Sequence, residues 1–151
     1  MRLLTNAVLT AARTTGRTIG DGQAPASSSR PFGVVYALYV AERDGPMSDD
    51  TADGWWQYQV TAVGDTREQA EGLADELEAA ILGATLTASG YVVGPVKRAD
   101  RFPLERDDDV QPPLFYQTIT FSIFVTPGPT AFAVLITEPV SVTDSTVDVS
   151  A

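Results

Sequence analysis

The side chains that most often carry catalysis or hold transition metals are missing from this chain: its 151 residues include no histidine and no cysteine. The commonest general base, the thiolate nucleophile and the usual zinc ligands are thereby excluded. Carboxylate, lysine, tyrosine or serine chemistry remains, and each needs a positioned partner. The densest carboxylate run is Asp107–Asp109, with Glu105 nearby. Hard cations want several oxygens, so the run could hold calcium or magnesium, but a calcium loop spaces its ligands around a glycine. Three consecutive aspartates before Val110 and a proline pair read instead as a solvated acidic loop, as does "SDDTAD" at Ser48–Asp53. "GDG" at Gly20–Gly22 and "VVGPVK" at Val92–Lys97 lack the glycine spacing and the lysine-serine pair of a phosphate cradle, and read as turns and bends. We therefore expect no catalytic residue, no cofactor and no metal.

The residues left to consider are contact groups. Lys97, Arg98, Arg101 and Arg106 bring four of the ten basic side chains close together in sequence, whereas acidic residues crowd the segments around Asp44–Asp53 and Glu68–Glu78. With 20 acidic and 10 basic side chains the formal net charge is -10, which argues against a direct nucleic-acid surface. Trp55 is a fifth candidate, since a large aromatic on an otherwise polar strand face is enriched at protein interfaces. Packing under a loop of its own chain is the competing reading.

The elements that position these groups follow from periodicity. Leu3, Leu4, Ala7, Val8 and Ala11 fall at helical spacing before Arg13 and Gly16, which predicts a short first helix. "GRTIGDGQAPASSSRP" is a turn-rich loop. "PFGVVYALYVAER" reads as a strand apolar on both faces, consistent with a central strand or with an outer face buried by a second subunit. "RDGPMSDDTADG" is a long hairpin loop. In the next strand Trp56, Tyr58, Val60 and Ala62 alternate with Trp55, Gln57, Gln59 and Thr61. Asp65 or Thr66 caps a helix, with Glu68 or Gln69 completing a capping box. Ala70, Leu73, Ala74, Leu77, Ala80 and Ile81 make its buried stripe, Arg67, Glu68, Glu71, Asp75, Glu76 and Glu78 face water, and Gly83 ends it.

"SGYVVGPVKRADRF" is a third strand, "PLERDDDVQPP" a loop, and "LFYQTITFSIFVTP" a fourth strand with Ile119, Phe121, Ile123 and Val125 on its apolar face. A further strand is expected around Phe132–Ile136, and residues 138–151 read as a C-terminal arm. The expected fold class is α+β: a mostly antiparallel sheet of four to five strands packed by two helices, forming one domain over residues 1–137. No run of apolar residues is long enough for a membrane span, and the first residues lack a signal-peptide core, so a soluble, non-exported protein is expected.

The segment ending in "RPFGVVYALYV", the unit "WQYQVTAVGDTREQAEGLADELEAAIL" with Thr66, Glu68, Gln69 and Ala70 at its helix opening, and the late strand "FYQTITFSIFVTP" together resemble the tail terminator (tail completion) proteins of long-tailed phages. The resemblance covers residues 20–127 in ordering. It implies a non-enzymatic virion protein, assembled in the host cytoplasm and placed at the head-proximal end of the tail. There it would form a ring, usually hexameric, that stops tail-tube polymerisation and meets the head-tail connector protein. Its partners would be further copies of itself, the tail tube protein and the connector. A neighbouring connector or minor tail protein shares the composition. A small-ligand-binding domain is the alternative of another class, with Tyr36, Tyr39, Tyr58 or Tyr116 lining a pocket and Glu42 as base. Charge supplies an expectation about assembly: the Lys97–Arg106 segment of one subunit meets an acidic segment of the next, or these cations only balance the adjacent aspartates.

Overall fold

The computed structural model describes residues 2–26, 29–42 and 54–128, with residues 39–42 described by backbone alone. The expected hairpin loop, the strand around Phe132–Ile136 and the C-terminal arm lie outside these residues.

Two helices cover one face of a six-stranded sheet. In chain order the elements are α1 (Arg2–Arg13), β1 (Ile19–Asp21), β2 (Phe32–Glu42), β3 (Gly54–Gly64), α2 (Arg67–Leu82), β4 (Tyr91–Arg101), β5 (Glu105–Asp107) and β6 (Leu114–Pro127). The strand order is β1-β2-β3-β6-β4, and β5 pairs with the start of β6 on the same side as β4. Every pairing is antiparallel except β1 with β2. The class is therefore α+β, as periodicity indicated.

Two short strands escape the sequence signal. β1 lies in the turn-rich stretch read as loop and gains its pairing from Gly33–Val35 of β2. β5 lies in "PLERDDDVQPP" and pairs Glu105–Asp107 with Leu114–Tyr116. Three-residue strands have no periodicity of their own, so tertiary pairing decides them.

Alternation along β3 and β6 sorts the faces. Tyr58, Val60, Ala62, Ile119, Phe121, Ile123 and Val125 are buried and join Val35 and Val96 in one core cluster with both helices. α2 contributes Ala70, Leu73, Ala74, Leu77 and Ile81, all buried, while the expected Ala80 is only half-buried. α1 contributes Leu4, Val8, Leu9, Ala11 and Ala12, with Thr5 also buried. Leu3, placed on the stripe by spacing, is 53% exposed, because the buried face is centred on Leu4 and Val8.

The joint between β3 and α2 is tightly built. Thr66 is the N-cap, its Oγ1 accepting from the Gln69 N–H at 3.2 Å, while Gln69 Oε1 accepts from the Asp65 N–H at 3.0 Å. One orphan amide of the first turn, that of Gln69, is thus satisfied, and the Asp65 amide just before the cap is held as well. A Cβ at Gly64 would stand 2.8 Å from both the Ala70 nitrogen and Gln69 Cβ, so only glycine lets the strand turn this closely into the helix.

Tyr58 ties α1 to the sheet, its hydroxyl 3.3 Å from Thr5 Oγ1 in the buried core. Burial pushes its pKa above the ordinary tyrosine value, and the Thr5 bond opposes that only in part. A folded-state pKa above the unfolded one gives stability fully present below about pH 10 and lost as pH rises through the folded value. Tyr58→Phe is expected to reduce the loss of stability above about pH 10, read as urea midpoints on either side of that pH. An unchanged alkaline slope would show that Tyr58 ionises without cost to the fold.

Candidate functional site

The five contact candidates divide between the two faces of the sheet. Arg98 and Arg101 lie on the helix side of β4, where they meet the acidic face of α2. Arg98 Nη1 donates to Glu78 Oε1 at 2.6 Å, and Arg101 Nη1 donates to Glu78 Oε2 at 2.8 Å. Arg101 Nη2 adds Asp75 Oδ1 at 2.7 Å and Gln117 Oε1 at 3.0 Å. Glu78, expected to face water, keeps only 13% of its side chain exposed. The basic strand and the acidic helix thus complement one another within a single chain.

Arg106 also has an intrachain partner, Asp108 Oδ1 at 2.6 Å, and its guanidinium lies 5.8 Å from the centre of the Phe115 ring. Asp107 is engaged in its own turn, its Oδ1 accepting from the Asp109 N–H at 3.0 Å. Among the described residues no three acidic side chains converge on a point where a metal ion could sit, and no helix is long and apolar enough to cross a membrane.

Trp55 and Lys97 occupy the other face. Register places Trp55 opposite Phe124 and Lys97 opposite Ser122. The rings of Trp55 and Phe124 are 5.3 Å apart at 58°, and Lys97 Nζ stands 5.8 Å from the Trp55 ring. Both distances suit ring–ring and cation–π attraction. Gly94 and Pro95 complete a shallow hollow of about 440 Å³ around them. From there a neutral polar stripe runs along the sheet through Gln57, Gln59, Thr61, Thr118, Thr120 and Ser122, with Thr61 and Thr118 hydroxyls 3.3 Å apart. At its far end Phe32, Val34 and Val63 form a second, smaller apolar cluster with Tyr36, Leu114 and Tyr116. Among the described residues no helix covers this face.

The tyrosines weighed as pocket lining do not converge. Tyr58 is in the core beneath the helices, while Tyr36 and Tyr116 pack on the helix-free face, where Tyr116 donates to Glu105. The hydrogen bond to that carboxylate raises the Tyr116 pKa above the ordinary tyrosine value. The side chains of Tyr39 and Glu42 lie outside the description.

Phe124, Gly94 and Pro95 were not singled out by their chemistry. Phe124 had a signal: it alternates with the buried Ile123 and Val125 and so had to share a face with Trp55. Glu78 had none, because an acidic residue beside a buried stripe looks the same whether water or arginine meets it.

The fold is similar to that of a chain from the virion of a native gene transfer agent (GTA) particle, with a TM-score of 0.67 and 15% identity over 83% of this chain and 96% of that chain. No protein-family model matches the sequence, and no curated protein matches it.

Proposed function

We propose that this protein is a structural component of a virion that ends the tail tube as a ring, of six copies by analogy with the terminators it resembles, and joins the tube to the head-side connector. The observation that carries this reading is the fold shared over nearly the whole length of a virion chain. The resemblance of residues 20–127 to tail terminators narrows it from virion component to tube end. In this reading the role is non-catalytic and the protein resides at the head-proximal end of the tail.

The subunit contact is proposed along the edge formed by β4 and β5, which carries Arg98 and Arg101 on its helix side, Arg106 on β5, and Lys97 beside Trp55 on the helix-free face. Arg98 and Arg106 keep 51% and 56% of their side chains exposed despite their intrachain partners, so each retains donors for a neighbour. Copies meeting by this edge on one side and a different surface on the other would make a heterologous contact that closes into a ring.

The test is electron microscopy of particles made with and without the protein. Tails made without it should be unjoined to heads and variable in length, and adding the purified protein to tubes should place a ring on one end. Tubes of normal, uniform length in its absence would overturn the terminator role, and a ring found elsewhere on the particle would reassign the protein to another virion position.

A further inference from the structure

We propose that the helix-free face of the sheet is the contact surface for a second copy of this chain, the two sheets stacking face to face about a two-fold axis that crosses the strands at Val60 and Ile119. The contact uses a face, not the edge assigned to ring closure, and holds whether or not the protein ends a tail tube. A symmetry in the register carries it.

Val60 of β3 pairs with Ile119 of β6, and both are buried beneath the helices. Counted from that pair, the row three residues towards the Trp55 end is Gln57, Ser122 and Lys97, and the row three residues the other way is Val63, Tyr116 and Glu105. Alternation puts both rows on the helix-free face. A two-fold axis across the strands, set between two such faces, exchanges these rows and keeps each strand over its own copy. Lys97 then meets Glu105 of the second copy, because both lie one strand outside β6. On β6 the match continues: Phe124, five residues from Ile119, falls on Leu114, and Thr120 falls on Thr118. Ring on leucine, hydroxyl on hydroxyl and cation on carboxylate are thus brought about by one register. Aligned sheets stack about 10 Å apart and turned by about 30°, and the long Lys97 and Glu105 side chains span the offset this leaves at the outer strand.

The groups brought together have capacity to spare. Phe124, Leu114 and Tyr116 are half-buried in the single chain, so stacking removes further apolar surface from water. Among the described residues Lys97 has no carboxylate partner, its ammonium standing by the Trp55 ring. Glu105 is exposed, and with Tyr116 donating to one oxygen its carboxylate keeps acceptor sites for an ammonium. Four strand columns of about eleven residues make a face of about 19 by 36 Å, or about 700 Å², close to the roughly 800 Å² that one partner gives to a standard interface. A net charge of -10 on each chain opposes the contact, so the dimer is weak and reversible.

Sedimentation equilibrium of the full chain in about 0.15 M salt, where a Debye length of about 8 Å screens the net repulsion, tests the pairing. The average mass should rise from monomer to dimer through the micromolar range. In a Trp56→Phe background, which leaves Trp55 as the single indole, acrylamide quenching should fall in step. Lys97→Glu and Glu105→Lys should each weaken the dimer by about tenfold or more, because each sets like charges together at both ends of the contact. Mixed in equal amounts, the two variants should recover a dimer of wild-type strength, since reversed side chain then faces reversed side chain and native faces native. That recovery separates a lost contact from a damaged fold. A monomer at every concentration overturns the proposal. So does a dimer indifferent to both reversals, or a pair of variants that stays dissociated on mixing.

Discussion

Leu77→Ala is expected to remove about 2 to 5 kcal/mol of stability, enough to threaten a domain of this size. Leu77 is fully buried at the centre of the α2 stripe, in the cluster that joins α1, α2 and the sheet. Its Cδ1 would lie 3.1 Å from a Cβ built on Gly33, so the helix rests directly on the backbone of β2. Truncation leaves a void that the backbone below cannot fill, and the loss combines transfer and cavity contributions. Glu76→Ala, one position earlier, is the control. Its carboxylate takes two hydrogen bonds of 3.0 Å from Arg17, which depress its pKa, but both side chains are 43% exposed. Such a pair contributes within about 0.5 kcal/mol. Urea melts of the two variants should differ widely in midpoint with similar slopes, and equal losses would mean that the helix packs in another phase.

That contrast shows what was legible in the sequence. Where one face of an element is buried, hydrophobic spacing reports most of it: the stripe of α2, the alternation of β3 and the apolar face of β6 are readable in the sequence, although Leu3 of α1 is not on the buried face that its spacing suggests. The Thr66 cap is readable because satisfying orphan amides at a helix start requires particular side chains. Strand neighbours are not. Nothing in β3, β4 or β6 states that β6 lies between the other two, since pairing is a long-range choice made by the whole core. β1 and β5 are invisible for the same reason. In the candidate site, types were legible and partners were not. Trp55 stands out by its size on a polar strand face, yet its contacts with Phe124 and Lys97 need the register of three strands. The arginines stand out as scarce charge, but whether an arginine meets the helix of its own chain or another molecule is decided by the face its strand turns inward.

Arg101→Glu tests that last point, and the expected cost is about 2 to 4 kcal/mol, somewhat below the cost of breaking a fully buried ion pair. Arg101 is 26% exposed and Glu78 13%, so water screens their bond only partly. The reversal would set a third carboxylate between Asp75 and Glu78 and strip Gln117 of its donor. Asp75, 68% exposed, adds little to the loss, and Glu78 accounts for most of it. Arg98 would remain as the cation on Glu78 and limit the damage, which keeps the estimate at the lower range. Because the cluster is partly buried, much of the loss should persist at high salt. Lys97→Glu is the matching control on the opposite face, where an exposed ammonium near a ring should change stability by within about 0.5 kcal/mol. Thermal or urea unfolding of the two reversals separates the roles of cations only four residues apart. If Arg101→Glu unfolds at the wild-type midpoint, the arginine is not needed where α2 meets β4 and is free to serve a neighbouring subunit. If it unfolds early while Lys97→Glu does not, a weakened ring in the Arg101 variant reports a damaged subunit, and Lys97 is the position at which charge across a subunit contact can be tested cleanly.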